Sequence, residues 1–383
     1  MLDSLTDRTV PTALPQVDVV LARHGARGQR WLDAMWQGDP LADRVVDDGA
    51  LDVRRALAHG IDAVGAPSAA LVDLFAALDT PPRWLDRDRC DRAARHLARQ
   101  ASQYGIVLGA ASLLSGAQSS IAGKPLTFTG RYASNAAVRS IEVGSWLGGV
   151  MTPGGMQRDA PGFAQTVRVR LIHAHVRAHL SRDPDWDAAA WGLPICQPYM
   201  SFTLAEFCSI ALRAMRRLGV RYTDDELVDI HHLWRYTGHV VGVAPDHLPV
   251  TPEDYARIED LYALTADGPD DGDRTFVAAL TDFQAAEAAR FVPRPLARPL
   301  IHGLQRAFVG DAIADDLAVP DTPWKHAPRL LGPLTALGYA AHDGLIPGGR
   351  ARRTGRALRR QPVELARLRR TYAVDHELVD DVA

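Results

Sequence analysis

Lysine is nearly missing from this chain: of 43 basic side chains, only Lys124 and Lys325 are lysine and the rest are arginine. Any chemistry that requires a lysine therefore has two candidates. Cysteine is equally sparse, and Cys90, Cys196 and Cys208 are too scattered for a disulfide framework or a zinc knuckle. No Cys-x-x-Cys-His occurs, which excludes covalent attachment of a c-type haem. A glycine fingerprint after a strand, a phosphate-binding loop and a Gly-x-Ser-x-Gly elbow are all missing. The net charge of −3 lacks the positive surplus of a general nucleic-acid binder. Met1-Leu2-Asp3-Ser4 does not begin a basic-then-apolar export signal, so the expected compartment is the cytoplasm.

What is present reads as a soluble globular chain, with 47% apolar and 23% charged residues over 383 positions. That length holds one large or two medium domains. Apolar residues recur at three and four positions from Leu51 to Leu78, broken near Gly65-Ala66-Pro67, and again from Asp86 to Tyr104. The same period runs through Thr166–Leu180, Leu204–Leu218 and Thr275–Arg290. Thr223-Asp224-Asp225-Glu226 has capping-box spacing, and Thr251-Pro252 is a second helix start. Only Val17-Asp18-Val19-Val20-Leu21 alternates like a strand. The fold class is therefore all-α. Neither the polar loop Ala266–Arg274 nor the Gly/Arg connection Gly344–Arg353 separates two self-sufficient cores. The expected organisation is one large helical domain, with an N-terminal region (1–100), a core (101–300) and a C-terminal region (301–383) packed together.

Two stretches carry a second meaning. Gln100 to Gly123 has no charge over 24 positions, but its Ser, Gln and Gly residues read as a buried helical segment, not a membrane span. Arg350 to Arg370 holds nine arginines against Glu364 alone. A contact with an anionic partner or lipid surface and a solvated helix face are both readings of it, the second being the commoner.

The segment Thr166–Leu180 places three histidines on one helix. At about 100° per residue, His175 and His179 share a face, whereas His173 falls in register with Val169, Val176 and Leu180. A histidine on an apolar face is either a satisfied core residue or a ligand reaching a metal or haem inside the bundle. His175 and His179 have the spacing of a zinc pair but no glutamate between them.

Several further stretches fall in a recognisable order. They are Leu126-Thr-Phe-Thr-Gly-Arg131, Val138-Arg139-Ser-Ile-Glu142-Val143, and Val169-Arg-Leu-Ile-His173-Ala-His-Val-Arg177. Downstream come Trp191-Gly-x-Pro194-Ile-x-Gln197, Phe202-Thr203-Leu-Ala-Glu-Phe207 and Leu233-Trp234-Arg235-Tyr-x-Gly238. Taken together, this set over roughly Ala101–Leu264 resembles the family of the latex clearing protein (rubber oxygenase), which also includes the fungal oxygenase MpaB. The resemblance implies a globin-like core enclosing a non-covalent haem b, with residues 101–300 as the haem-binding part. It implies His173 as the axial iron ligand, and Arg139, Arg177, Arg131 and Thr203 as contacts to the cofactor. It also implies O2 chemistry on an unsaturated, hydrophobic small molecule of isoprenoid or lipid-like kind.

Rubber-cleaving members carry Arg-x-x-Lys-Thr on the distal helix. The register here puts Arg139 on the arginine, Glu142 on the lysine and Val143 on the threonine, so the distal lysine has no counterpart. Glu142 becomes the expected catalytic group beside Arg139, as a base for an allylic proton or a holder of water. If buried, its carboxyl is expected to rise in pKa by desolvation. Cys196-Gln197-Pro198 departs from the family's Asn-Gln-Glu or Asn-Gln-Asp, which leaves substrate choice open. Two other readings stand beside the oxygenase: a haem protein of the same fold with a gas-binding or peroxidase-like role, and a helical binding protein without catalysis.

Overall fold

Short polar caps determine where many of the helices begin. The computed structural model describes residues 9–49, 52–127 and 136–374. Asp39 caps α2 (Pro40–Asp47), with α1 (Val17–His24) before it and proline at the first helical position of α2. Asp86 caps α3 (Arg87–Ala98), which is followed by α4 (Ala101–Val107). After α5 (Ala136–Val150) comes α6 (Pro161–Leu180), opened by proline, then α7 (Gln197–Ala205). Reciprocal capping boxes start the next three helices: Thr223/Glu226 for α8 (Asp224–Val241), Thr251/Asp254 for α9 (Pro252–Thr265) and Asp270/Asp273 for α10 (Asp271–Ala288). The chain then reaches a hairpin of α11 (Ala327–Leu345) and α12 (Gly349–Thr371).

Among the described residues every regular element is helical, and the β contact is a single bridge between Ser119 and Gly268. The all-α expectation holds. Two local expectations do not. Val17–Leu21 is helical, because a lone strand here has no partner to bond, whereas α1 buries Val20 completely and brings Arg23 and His24 onto Asp260 at 2.8 Å each. The helix expected from Thr275 starts at Asp271, since the acidic loop before it supplies its own cap.

The uncharged stretch from Gln100 exposes Ser102, Gly105 and Ile106, is mostly buried from Val107 onward, and is not continuous. α4 passes into a π-helical turn at Leu108–Ser112, then a short helix Leu113–Gly116, and restarts at Ser120–Thr127. No described helix is long and apolar enough to cross a membrane. A second π-helical turn, Glu206–Ile210, follows α7 and packs against the first. Widening a helix by one residue disturbs its regular carbonyl ladder. Here Ser112 Oγ donates to the Glu206 carbonyl at 2.6 Å, and the Tyr104 hydroxyl donates to the Phe207 carbonyl.

The core around these turns is aromatic. Phe207 stacks on Trp234 with centroids 5.2 Å apart, and Trp146 meets Phe207 edge-on at 5.2 Å. Trp146 Nε1 donates to Thr166 Oγ1 at 2.9 Å, which ties α5 to α6. The long helix α6 thus sits between α2, α5 and α8, and it carries all three histidines of the segment singled out above.

Candidate functional site

The orientation of α6 is set by two arginine–aspartate pairs. Arg170 and Asp39 are both almost fully buried, and the guanidinium grips the carboxylate with two bonds, at 2.5 and 2.8 Å. Two turns on, Arg177 Nε donates to Asp43 Oδ1 at 2.9 Å and its Nη1 to the Ile195 carbonyl at 2.6 Å. Both pairs need backbone to pass close by. Gly242, the α8 C-cap at φ 98°, lies against Asp39, and a methyl group there would come within 2.8 Å of Arg170 Nε. A methyl group on Gly38 would meet Arg177 Nε at 2.7 Å. Fork geometry of this kind belongs to guanidinium and not to ammonium.

Between these two arginines lies His173. Its Nδ1 is buried and has no hydrogen-bond partner among the described residues. The residue as a whole is half-buried. Burial, reinforced by the Arg177 charge and opposed by Asp39, lowers its pKa to about 4. The imidazole is therefore neutral at physiological pH, the form that binds a metal through a ring nitrogen. His175 and His179 are exposed on the opposite side of the helix. The same helix thus separates the enclosed histidine from the pair with zinc spacing.

On α5, Glu142 is buried, and its Oε2 accepts from Arg139 Nη1 at 3.0 Å one turn earlier. The two residues expected to act together do meet, with the Arg139 side chain 46% exposed and that of Glu142 1%. Thr203 Oγ1 donates back to the Tyr199 carbonyl at 2.9 Å. Arg177 is committed to Asp43 and Ile195 as described. Arg131 lies outside the described residues.

Three features escaped the sequence reading. Asp39 is more than a hundred residues from Arg170, and nothing in its own neighbourhood announces a buried ion pair. Gln197, noted only as part of a motif, is a stitch: its Nε2 donates to the carbonyls of Gly38 (2.8 Å) and Gly242 (3.1 Å), and its Oε1 accepts from Ala244 N at 2.8 Å. Glu206, at the start of the second π-helical turn, forms no ion pair among the described residues. Burial raises its carboxyl to about 8, against the effect of a hydrogen bond with Thr203. It is therefore a second enclosed acid, mostly protonated at neutral pH.

Whether this site fits a haem is decided by its donors. A neutral, enclosed imidazole with an unbonded Nδ1 suits a single axial ligand. No group of three His, Cys, Asp or Glu among the described residues is placed to chelate a metal. A metal on His173 would thus draw its other ligands from a macrocycle. The residues fit the group.

The fold defines the class: an all-helical domain whose central helix carries one buried, neutral imidazole. The family described as "ER-bound oxygenase mpaB/B'/Rubber oxygenase, catalytic domain" matches residues 98–342, and the chain belongs to it. The match runs well past Leu264, where the recognisable motifs end. Rubber oxygenase from Streptomyces sp. (strain K30) is 24% identical over 277 residues, 70% of this chain and 64% of that protein. The chain thus spans just under two thirds of that relative's length. A solved structure titled "Structure of Latex Clearing Protein LCP in the closed state" superposes with a TM-score of 0.64 at 21% identity, covering 86% of this chain and 91% of that one. That likeness is one of fold.

Two outcomes follow from this geometry. Asp39→Ala leaves the Arg170 charge buried and unpaired, and should cost about 3–5 kcal/mol in urea denaturation. His173 titrates lower folded than unfolded, so between about pH 6.5 and 4 the unfolded chain binds the extra proton, and this contribution to stability falls as pH falls. Chemical denaturation across that window should show a shallower acid loss in His173→Gln than in the parent chain.

Proposed function

We propose that this protein is a haem-b-dependent oxygenase that uses O2 to oxidise or cleave an unsaturated, hydrophobic small molecule of isoprenoid or lipid-like kind. The observation that carries the reading is His173: enclosed, neutral and unbonded at Nδ1, on a helix held in rotation by the buried Arg170–Asp39 fork and by the Arg177 bonds to Asp43 and the Ile195 carbonyl. Membership of the oxygenase family supports it.

Haem, when bound, supplies the redox chemistry with O2. The chain's part is to hold, orient and exclude. His173 would hold the iron. Arg177 lies one turn beyond it and helps to keep the imidazole deprotonated, so protons compete for the ligand only in strong acid. Val169, Val176 and Leu180 share its helix face, an apolar surround that favours a hydrocarbon over water. Arg139 and Thr203 belong to the cofactor's surroundings in this reading. Glu142 is assigned as acceptor of an allylic proton, its carboxylate fixed by Arg139 at 3.0 Å. Because glutamate stands where rubber-cleaving members have lysine, the substrate need not be a polymer.

The purified chain reconstituted with haem should show a Soret band that His173→Ala abolishes. A chain that retains no haem, or a band indifferent to His173→Ala, would falsify the assignment. With haem bound, oxygen uptake on unsaturated isoprenoids or lipids should yield carbonyl or oxidised products. Glu142→Gln should lower turnover roughly 10²–10⁴-fold, the usual worth of a positioned acid or base, while leaving the band intact; full turnover in that variant removes Glu142 from the chemistry.

A further inference from the structure

The hairpin at the end of the chain has its polarity reversed. α11 rests on the body through small and polar residues: Gly332 lies against the Arg217 carbonyl, and the Tyr339 hydroxyl accepts from Gln103 Nε2 at 2.6 Å. Its outer side bares Leu330 (70% exposed), Leu331 (56%), Leu334 (64%), Leu337 (67%) and Leu345 (81%). At about 100° per residue these five leucines fall within roughly 120° of the helix circumference. No charged residue occurs from Leu330 to Ala341. A surface helix on a soluble body normally presents the opposite pattern, and isolated exposed leucines do not line up in this way.

The neighbouring helix adds charge of one sign. On α12, Arg350, Arg353 and Arg367 turn to Glu226, Asp343 and Glu287. Arg352, Arg356, Arg359, Arg360 and Arg370 are exposed and form no ion pair among the described residues. By the same helical arithmetic these five occupy one face, with the exposed Val363 among them. Only Ile346, Pro347 and Gly348 separate α11 from α12, and the helices meet next to this turn, where the Arg353 guanidinium lies over the Tyr339 ring at 4.4 Å and reaches Asp343 at 3.3 Å. Two aromatic rings lie near the pair: Trp324 just before α11, and Phe291, 81% exposed, next to Arg290, which bonds Glu364 of α12 at 2.7 Å.

We propose that this hairpin is a docking surface for an anionic lipid bilayer. The leucine ridge enters the boundary between headgroups and acyl chains, and the arginine row meets the lipid phosphates, their stems lying along the apolar surface. Charge decides between this occupant and a second copy of the chain. The two helices with their connection carry ten arginines against two acids. Two copies meeting through them would set these like charges against each other, whereas an anionic surface satisfies both features at once. The surface stands apart from the haem reading, since none of its residues belongs to the His173 site.

Flotation of the full chain with vesicles tests it. Binding is expected to phosphatidylcholine mixed with phosphatidylglycerol, weakening as salt rises, and not to phosphatidylcholine alone. The double change Leu334→Ser/Leu337→Ser and the triple change Arg356→Gln/Arg359→Gln/Arg360→Gln should each weaken binding by roughly tenfold or more. Circular dichroism and the thermal midpoint should be unchanged, as these side chains are exposed, and His173→Ala should bind vesicles like the parent. The proposal is overturned if the full chain ignores anionic vesicles, or if both surface variants bind as the parent does. It is also overturned if a dimer dissolved by Leu334→Ser/Leu337→Ser proves to be what covers the ridge. Binding that emerges only after removal of the residues beyond Val374, which include four acids, likewise overturns it in favour of a cover within the chain.

Discussion

The buried fork between Arg170 and Asp39 is the constraint on which the site depends. A charged pair almost wholly removed from water is tolerable only when every bond is well made. Here the guanidinium meets both carboxylate oxygens while the same carboxylate caps α2. The fork therefore joins the start of one helix to the middle of another and fixes their rotation. Because His173 lies three residues after Arg170 and four before Arg177, that rotation decides which way the imidazole faces. A helix held at Arg170 alone would be free to turn about it; two turns on, Arg177 adds a second hold through Asp43 Oδ1 and the Ile195 carbonyl.

Much of the frame was legible in the sequence. The capping signals at Thr223 and Thr251 act as their spacing implies, and the helical phase of Thr166–Leu180 correctly separates His173 from His175 and His179. These are local properties, decided within a few residues. What was not legible is long-range. The alternation in Val17–Leu21 suggests a strand, but that choice belongs to the partners available, and the body offers a helical groove and Asp260. The paired π-helical turns depend on hydroxyls of Ser112 and Tyr104 reaching carbonyls 94 and 103 positions away. Gln197 could be recognised as part of a motif, but its work of joining three backbone segments has no sequence signature.

The two enclosed carboxyls show how burial is resolved in different ways within one core. Glu142 lies against a guanidinium and keeps a fixed hydrogen-bonded place one turn from it. Glu206 has no such neighbour among the described residues, and its pKa is pushed up to about 8 by burial. An acid that stays protonated near neutrality is a hydrogen-bond donor where an ionised one is an acceptor. The π-helical turn that begins at Glu206 places this donor next to Gly116, where any larger residue would collide with it.

The scarcity of lysine now divides into two physical consequences. Inside, arginine is the residue that can hold a carboxylate through two parallel bonds, and Arg170 uses that capacity where an ammonium would satisfy one oxygen at a time. Outside, the hairpin concentrates ten arginines against two acids in a chain whose total is −3, so the rest of the molecule is strongly acidic. A charge distribution so divided has direction as well as sign. Near an anionic surface the acidic body is repelled while the hairpin is drawn in, and the molecule is turned before any contact forms. The exposed leucines of α11 would then meet the surface already facing it. Steering by charge and retention by apolar contact are separate steps, and this chain keeps their residues on separate, adjacent helices.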